Sequence, residues 1–146
     1  MSGKTILFVL GIAVLALVLY TVRDRIPSPS VSAQRPYSAP NGHKVVPLGN
    51  GPGRFEVLDT PGAMGRGYFC AAARYAEAVL RAETRDHVRV IAELGPSQTQ
   101  DNRRAVGFEL VPAAEVADSE TTNISAPRID QTGESRSIVV SRQFCA

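Results

Sequence analysis

A cysteine stands near the start of an amphipathic stretch, "GRGYFCAAARYAEAVL" at residues 65–80. Thiols at helix N-termini become reactive, so Cys70 has three chemistries open to it: nucleophile, metal ligand or half of a disulfide. A nucleophilic thiol needs a histidine held against it. In the body of the chain only His87 is available, at the far end of that helix, roughly 25 Å away at 1.5 Å per residue. A redox catalyst usually carries C-x-x-C, whereas the second cysteine here is Cys145, 75 positions on. Zinc would need three or four ligands, and two cysteines with one distant histidine do not supply them. His43 has no other ligand type near it and gives no metal or proton-switch reading. The spacing therefore favours a staple, Cys70–Cys145.

"GAMGRG" at 62–67 is the other stretch with chemical potential. It lies between a strand pattern and a helix pattern, where phosphate-binding loops sit. Its spacing is neither G-x-G-x-x-G nor a P-loop, so no dinucleotide or nucleotide cofactor is implied. A flexible turn entering a helix explains it. The sharper reading is an anion site at Gly65, Arg66 and Gly67, in which free amides near 66–68 and the Arg66 side chain hold a carboxylate or phosphate. No cofactor motif and no metal-ligand set occurs elsewhere.

What must position these residues begins at the N-terminus. "TILFVLGIAVLALVLYTV", residues 5–22, has no charge and no proline. At 1.5 Å per residue it reaches roughly 27 Å, close to a bilayer's hydrocarbon thickness. Arg23, Asp24 and Arg25 follow at once, which suits a retained anchor better than a cleaved signal, although "VSA" at 31–33 has cleavage-site residue types. Residues 1–25 thus read as a single-pass signal-anchor with short flanks. Flanking charge leaves its orientation nearly tied. The paired cysteines, both after the span, suit an oxidising compartment and break the tie. The expectation is a plasma (inner) membrane protein with its C-terminal domain on the periplasmic or extracytoplasmic side.

Residues 26–53 hold six of the ten prolines and four of the twelve glycines, and no apolar period runs through them. They read as a semi-stiff tether, with "HKVVPL" able to add a short edge strand. The body is expected at 54–146. "RFEVL" alternates as a strand. Phe69, Ala72, Ala73, Ala76, Val79 and Leu80 then repeat at helical spacing, with Arg74, Glu77 and Arg81 opposite. "HVRVIAEL" and "RRAVGFEL" form a strand pair, 112–136 reads as a mobile polar loop, and "SIVVSRQFCA" as a last strand. The fold class is α+β: one amphipathic helix on a mixed sheet of about four strands. A right-handed crossover starts the helix at one end of the sheet, and the last strand brings Cys145 to that same end.

From residue 54 onward there are 11 basic and 13 acidic side chains, with no basic stripe interleaved with aromatics, so nucleic acid is excluded as a partner. The sequence carries no paired carboxylates or catalytic triad. The function expected is non-enzymatic: a membrane-anchored accessory or interaction domain of an envelope or membrane complex, with a protein partner in or at the membrane. The alternative is a small ligand-binding or sensory domain using the Gly62–Gly67 helix start for an anionic group. A thiol-dependent enzyme acting through Cys70 is third.

Overall fold

The structure, a computed structural model, describes residues 35–121 and 125–146. The expected anchor at 1–25 lies outside the described residues. Among the described residues no helix is long and apolar enough to cross a membrane.

The chain is α+β. In order it forms β1 (Tyr37–Ser38), β2 (Lys44–Pro47), β3 (Arg54–Leu58), α1 (Gly65–Ala78), β4 (His87–Pro96) and β5 (Arg104–Val111). A 3-10 turn (Ala113–Glu115), α2 (Asp118–Thr121), β6 (Ser135–Ser137) and α3 (Ile138–Gln143) complete it. The sheet has six strands in the order β1-β2-β3-β5-β4-β6. Every neighbouring pair is antiparallel, so β3 and β4 run the same way on either side of β5. This is the expected crossover through α1, with an antiparallel strand slotted into its middle.

Alternation builds the core. Phe55 and Val57 of β3 stand opposite Phe108 and Val106 of β5, and Val90 of β4 also faces Phe108. All five side chains are fully buried against Phe69, Ala72, Ala73 and Ala76 of α1. The alanines let the helix backbone lie close to the sheet, while Phe69 meets Phe108 edge to face at 5.2 Å. α1 ends where Ala82 N–H bonds back to Ala76 O, with Arg81 in the left-handed conformation at φ 59°.

Three parts of the sequence reading need correction. The sheet is antiparallel with six strands, where a mixed sheet of about four was expected, and two of the extra strands come from the tether. Asn41-Gly42, with Gly42 at φ 88°, turns β1 into β2. Val45 and Val46 are buried and Val45 pairs with Val57, so the second half of 26–53 belongs to the body. Next, "SIVVSRQFCA" is not a strand: after β6 the chain turns into α3, where Ser137 Oγ accepts from Val140 N–H as an N-cap. The single expected helix is therefore joined by α2 and α3. Lastly, the stretch 112–136 carries structure despite its weak apolar pattern. Residues 129–134 lie along the outer edge of β4, with Leu94 N–H bonded to Ile129 O, Val90 N–H to Glu134 O and Gly133 N–H to Val90 O. Arg136, 2% exposed, pairs with Glu134 at 2.6 Å and donates to Ser125 O and Ser135 O.

The face of the sheet away from α1 is more polar. Arg54, Glu109, Arg89 and Glu120 form a row of ion pairs at one end, and Val46, Leu58 and Ala105 a small apolar cluster elsewhere. Glu56 is 2% exposed on β3. Its carboxylate accepts from Ser97 Oγ, Thr99 Oγ1 and the amides of Gln98 and Thr99, which holds the tip of the β4–β5 hairpin down on this face.

Candidate functional site

The two cysteines meet. Cys70 lies fully buried in α1, Cys145 just beyond α3, and their sulfurs are 2.12 Å apart. The expected route was wrong and the pairing right. β6 runs opposite to β4, and α3 then carries the chain back along α1. Arg142 pairs with Glu77 at 2.9 Å, and the Arg66 guanidinium sits 5.6 Å from the centre of the Phe144 ring. With both sulfurs bonded, the described residues contain no free thiol. A thiolate mechanism at Cys70 would first require reduction.

The helix start is built for close packing. A Cβ on Gly65 would lie 2.1 Å from the carbonyl oxygen of Pro127, and one on Gly67 would lie 3.2 Å from His43 Nε2. Gly67 N–H bonds to Met64 O, and Asn41 donates its side-chain amide to Gly67 O. Of the three residues read as an anion site, Arg66 is thus engaged with an aromatic ring, Gly67 has a partnered amide, and Gly65 faces a carbonyl. A shallow cavity of about 330 Å³ remains between Met64, Gly65, Arg66, Ala126 and Pro127.

His43 sits beneath that helix start, a position hidden from sequence by the proline-rich stretch around it. It is 2% exposed, lies with its ring centre 4.8 Å from that of Tyr68 at a tilt of 46°, and bonds through Nδ1 to Leu58 O at 2.9 Å. A carbonyl can only accept, so Nδ1 carries the proton. Tyr68 donates its hydroxyl to Asp59. Burial first, then that hydrogen bond and the Asp59 charge, push the Tyr68 hydroxyl's pKa well above the usual phenol value. This group is a neutral donor at any physiological pH. The signal that could have found the pair was Asn41-Gly42, which turns His43 inward.

His87 opens β4 at the other end of α1, in a place with different properties. Its Nδ1 lies 2.9 Å from Ser135 Oγ on the neighbouring edge, and the residue is 3% exposed. Burial pushes its pKa down; Glu120 opposes this, and Arg89 and Arg136 add to it. His87 lines a cleft of about 370 Å³ with Arg85, Ala113, Val116, Ser137 and Val139. Sequence reasoning used His87 only as a distant partner for Cys70. Three of the cleft's walls come from 112–136 and α3, the parts it misread.

No three His, Cys, Asp or Glu side chains come together as metal ligands among the described residues. Comparison with known proteins finds no matching family, no matching curated protein and no matching solved structure.

Proposed function

We propose that this chain is a membrane-anchored, exported accessory domain of an envelope or membrane protein complex, working by binding and not by catalysis. The observation that carries the reading is the Cys70–Cys145 pair. Disulfides persist in oxidising compartments, and a pair closing 75 positions stabilises a small body that must survive there. The uncharged run 5–22 supplies an anchor of bilayer length, and the proline-rich residues after it a spacer from the surface. Four polar side chains buried in the body, His43, Tyr68, Glu56 and Arg136, make hydrogen bonds that hold loops in place. That supports a rigid platform for a partner.

Two measurements test this. A reporter active only after export, fused behind Ala146, should work, and the chain should migrate at full length in membranes. Extraction in gentle detergent should bring down a stoichiometric protein partner. Activity from a reporter that works only in the cytoplasm, or a chain that purifies alone and monomeric, would overturn the proposal.

A further inference from the structure

We infer that the cleft at the start of β4 is a binding site for a small carboxylate on a short apolar body. This stands whether or not the export reading holds. The cleft offers about 370 Å³. At a water's share of about 30 Å³ per heavy atom, that is room for roughly twelve atoms. Its walls are the side chains of Ala113, Val116 and Val139, and Val139 is 41% exposed there with no apolar cover. Its polar lining residues are His87, Ser137 and Arg85. An apolar hollow with a few convergent polar groups is the usual form of a small-ligand site.

The charge of the ligand follows from Arg85. It is exposed, and among the described residues it has no hydrogen-bond or ion-pair partner. The neighbouring Asp86 does not satisfy it, because Asp86 Oδ1 accepts from Ala113 N–H and Oδ2 from Glu83 N–H. Glu120 is likewise taken, by Arg89 at 3.2 Å. A guanidinium fork of this kind matches a carboxylate's two oxygens. His87 adds one further donor in the tautomer in which Ser135 Oγ donates to Nδ1, which puts the ring proton on Nε2, an atom with no protein partner among the described residues. Ser137 is committed to its N-cap role and contributes shape more than hydrogen bonding. A carboxylate at Arg85 with four to eight carbons running over Val116 and Val139 uses every wall.

The test uses the full chain in lipid nanodiscs with valine methyls labelled, titrated with hexanoate, hexanamide and hexylammonium, and with empty nanodiscs as the partition control. Hexanoate should move the Val116 and Val139 methyls saturably and leave the core methyls of Val57 and Val106 in place. Hexanamide should bind about tenfold more weakly, the usual worth of a charge-assisted contact, and hexylammonium should not bind. Arg85→Gln should reduce hexanoate to the level of hexanamide. Val139→Phe, at an exposed position, should block both with the core spectrum unchanged. Shifts that never saturate, equal response to hexylammonium, or undiminished binding by Arg85→Gln would each overturn the assignment.

Discussion

Replacing Glu56 by glutamine probes whether a buried carboxylate holds the β4–β5 hairpin to the sheet. In the native arrangement Oε1 accepts from Ser97 Oγ, Thr99 Oγ1 and Thr99 N–H, while Oε2 accepts from Gln98 N–H at 3.0 Å. Glutamine keeps one oxygen and turns an N–H₂ toward the Gln98 amide, donor against donor. One charge-assisted bond is then lost, about 1.5–3 kcal/mol, and the other three weaken to neutral bonds. Two effects pull the other way. The substitution relieves the desolvation of a buried charge, and Ser97 and Thr99 are half-exposed, so freed donors can reach water. The net expectation for Glu56→Gln is a loss of about 2 kcal/mol, or on the order of 10 °C in Tm for a domain of this size. Guanidinium unfolding of residues 35–146 should show a lower midpoint at unchanged slope. Amide exchange should quicken at Gln98 and Thr99 before it does in β3. A loss under about 0.5 kcal/mol, with those two amides still protected, would refute the clamp and mean that the charge plays no part.

Cys145→Ser should cost about 2–4 kcal/mol in denaturant unfolding, against about 4.5 kcal/mol on loop-closure entropy for 75 residues, and adding Cys70→Ser should cost little more. Gly65→Ala should destabilise by about 1–3 kcal/mol despite better helix propensity, because its methyl meets the Pro127 carbonyl; Gly67→Ala, with its looser contact to His43, should be near neutral in the same assay. Arg81→Gly should raise the unfolding free energy by roughly 1 kcal/mol, since an exposed non-glycine residue at φ 59° is strained there. His87 has a lowered folded pKa, so the unfolded chain binds its proton first as pH falls. Stability measured by denaturant should therefore be level above pH ~6.5 and decline below it, and His87→Gln should flatten that part of the curve.

β3, α1, β4 and β5 were legible because each buries one face, so Phe55, Val57, Phe69, Ala72, Val106 and Phe108 print their period on the sequence. The pairing of Cys70 with Cys145 was legible because few alternatives existed. α3 was not. Ile138-Val139-Val140 is β-branched throughout, and local propensity points to a strand. The N-cap at Ser137 and burial of Ile138 and Ser141 at helical spacing override it. β2 was legible in "HKVVPL" as a short strand, whereas β1, two residues long among prolines, was too short to show alternation. The segment after Ile129 is ordered by main-chain bonds to β4, which leave no mark on side-chain pattern. The cleft at His87 was illegible for the same reason, since its walls are the elements set by those bonds.

The position of the disulfide divides the body mechanically. Residues 70–145 are a covalent ring that includes β4, β5, β6 and α3, while β1, β2 and β3 lie outside it. A pull arriving from the N-terminal side meets β1 first, at the sheet's margin, where the pairs Tyr37–Val45 and Ser38–Lys44 and the edge contact of Tyr37 with Tyr75 resist. β1 would come away first and β2 after it, while β3 resists through its five pairs with β5 and its buried Phe55 and Val57. Extension then stops at Cys70: about 34 residues pay out, some 115 Å of chain, and no more while the bond holds. The body would thus yield first from its N-terminal margin, with the covalent ring as a fixed stop to its extension.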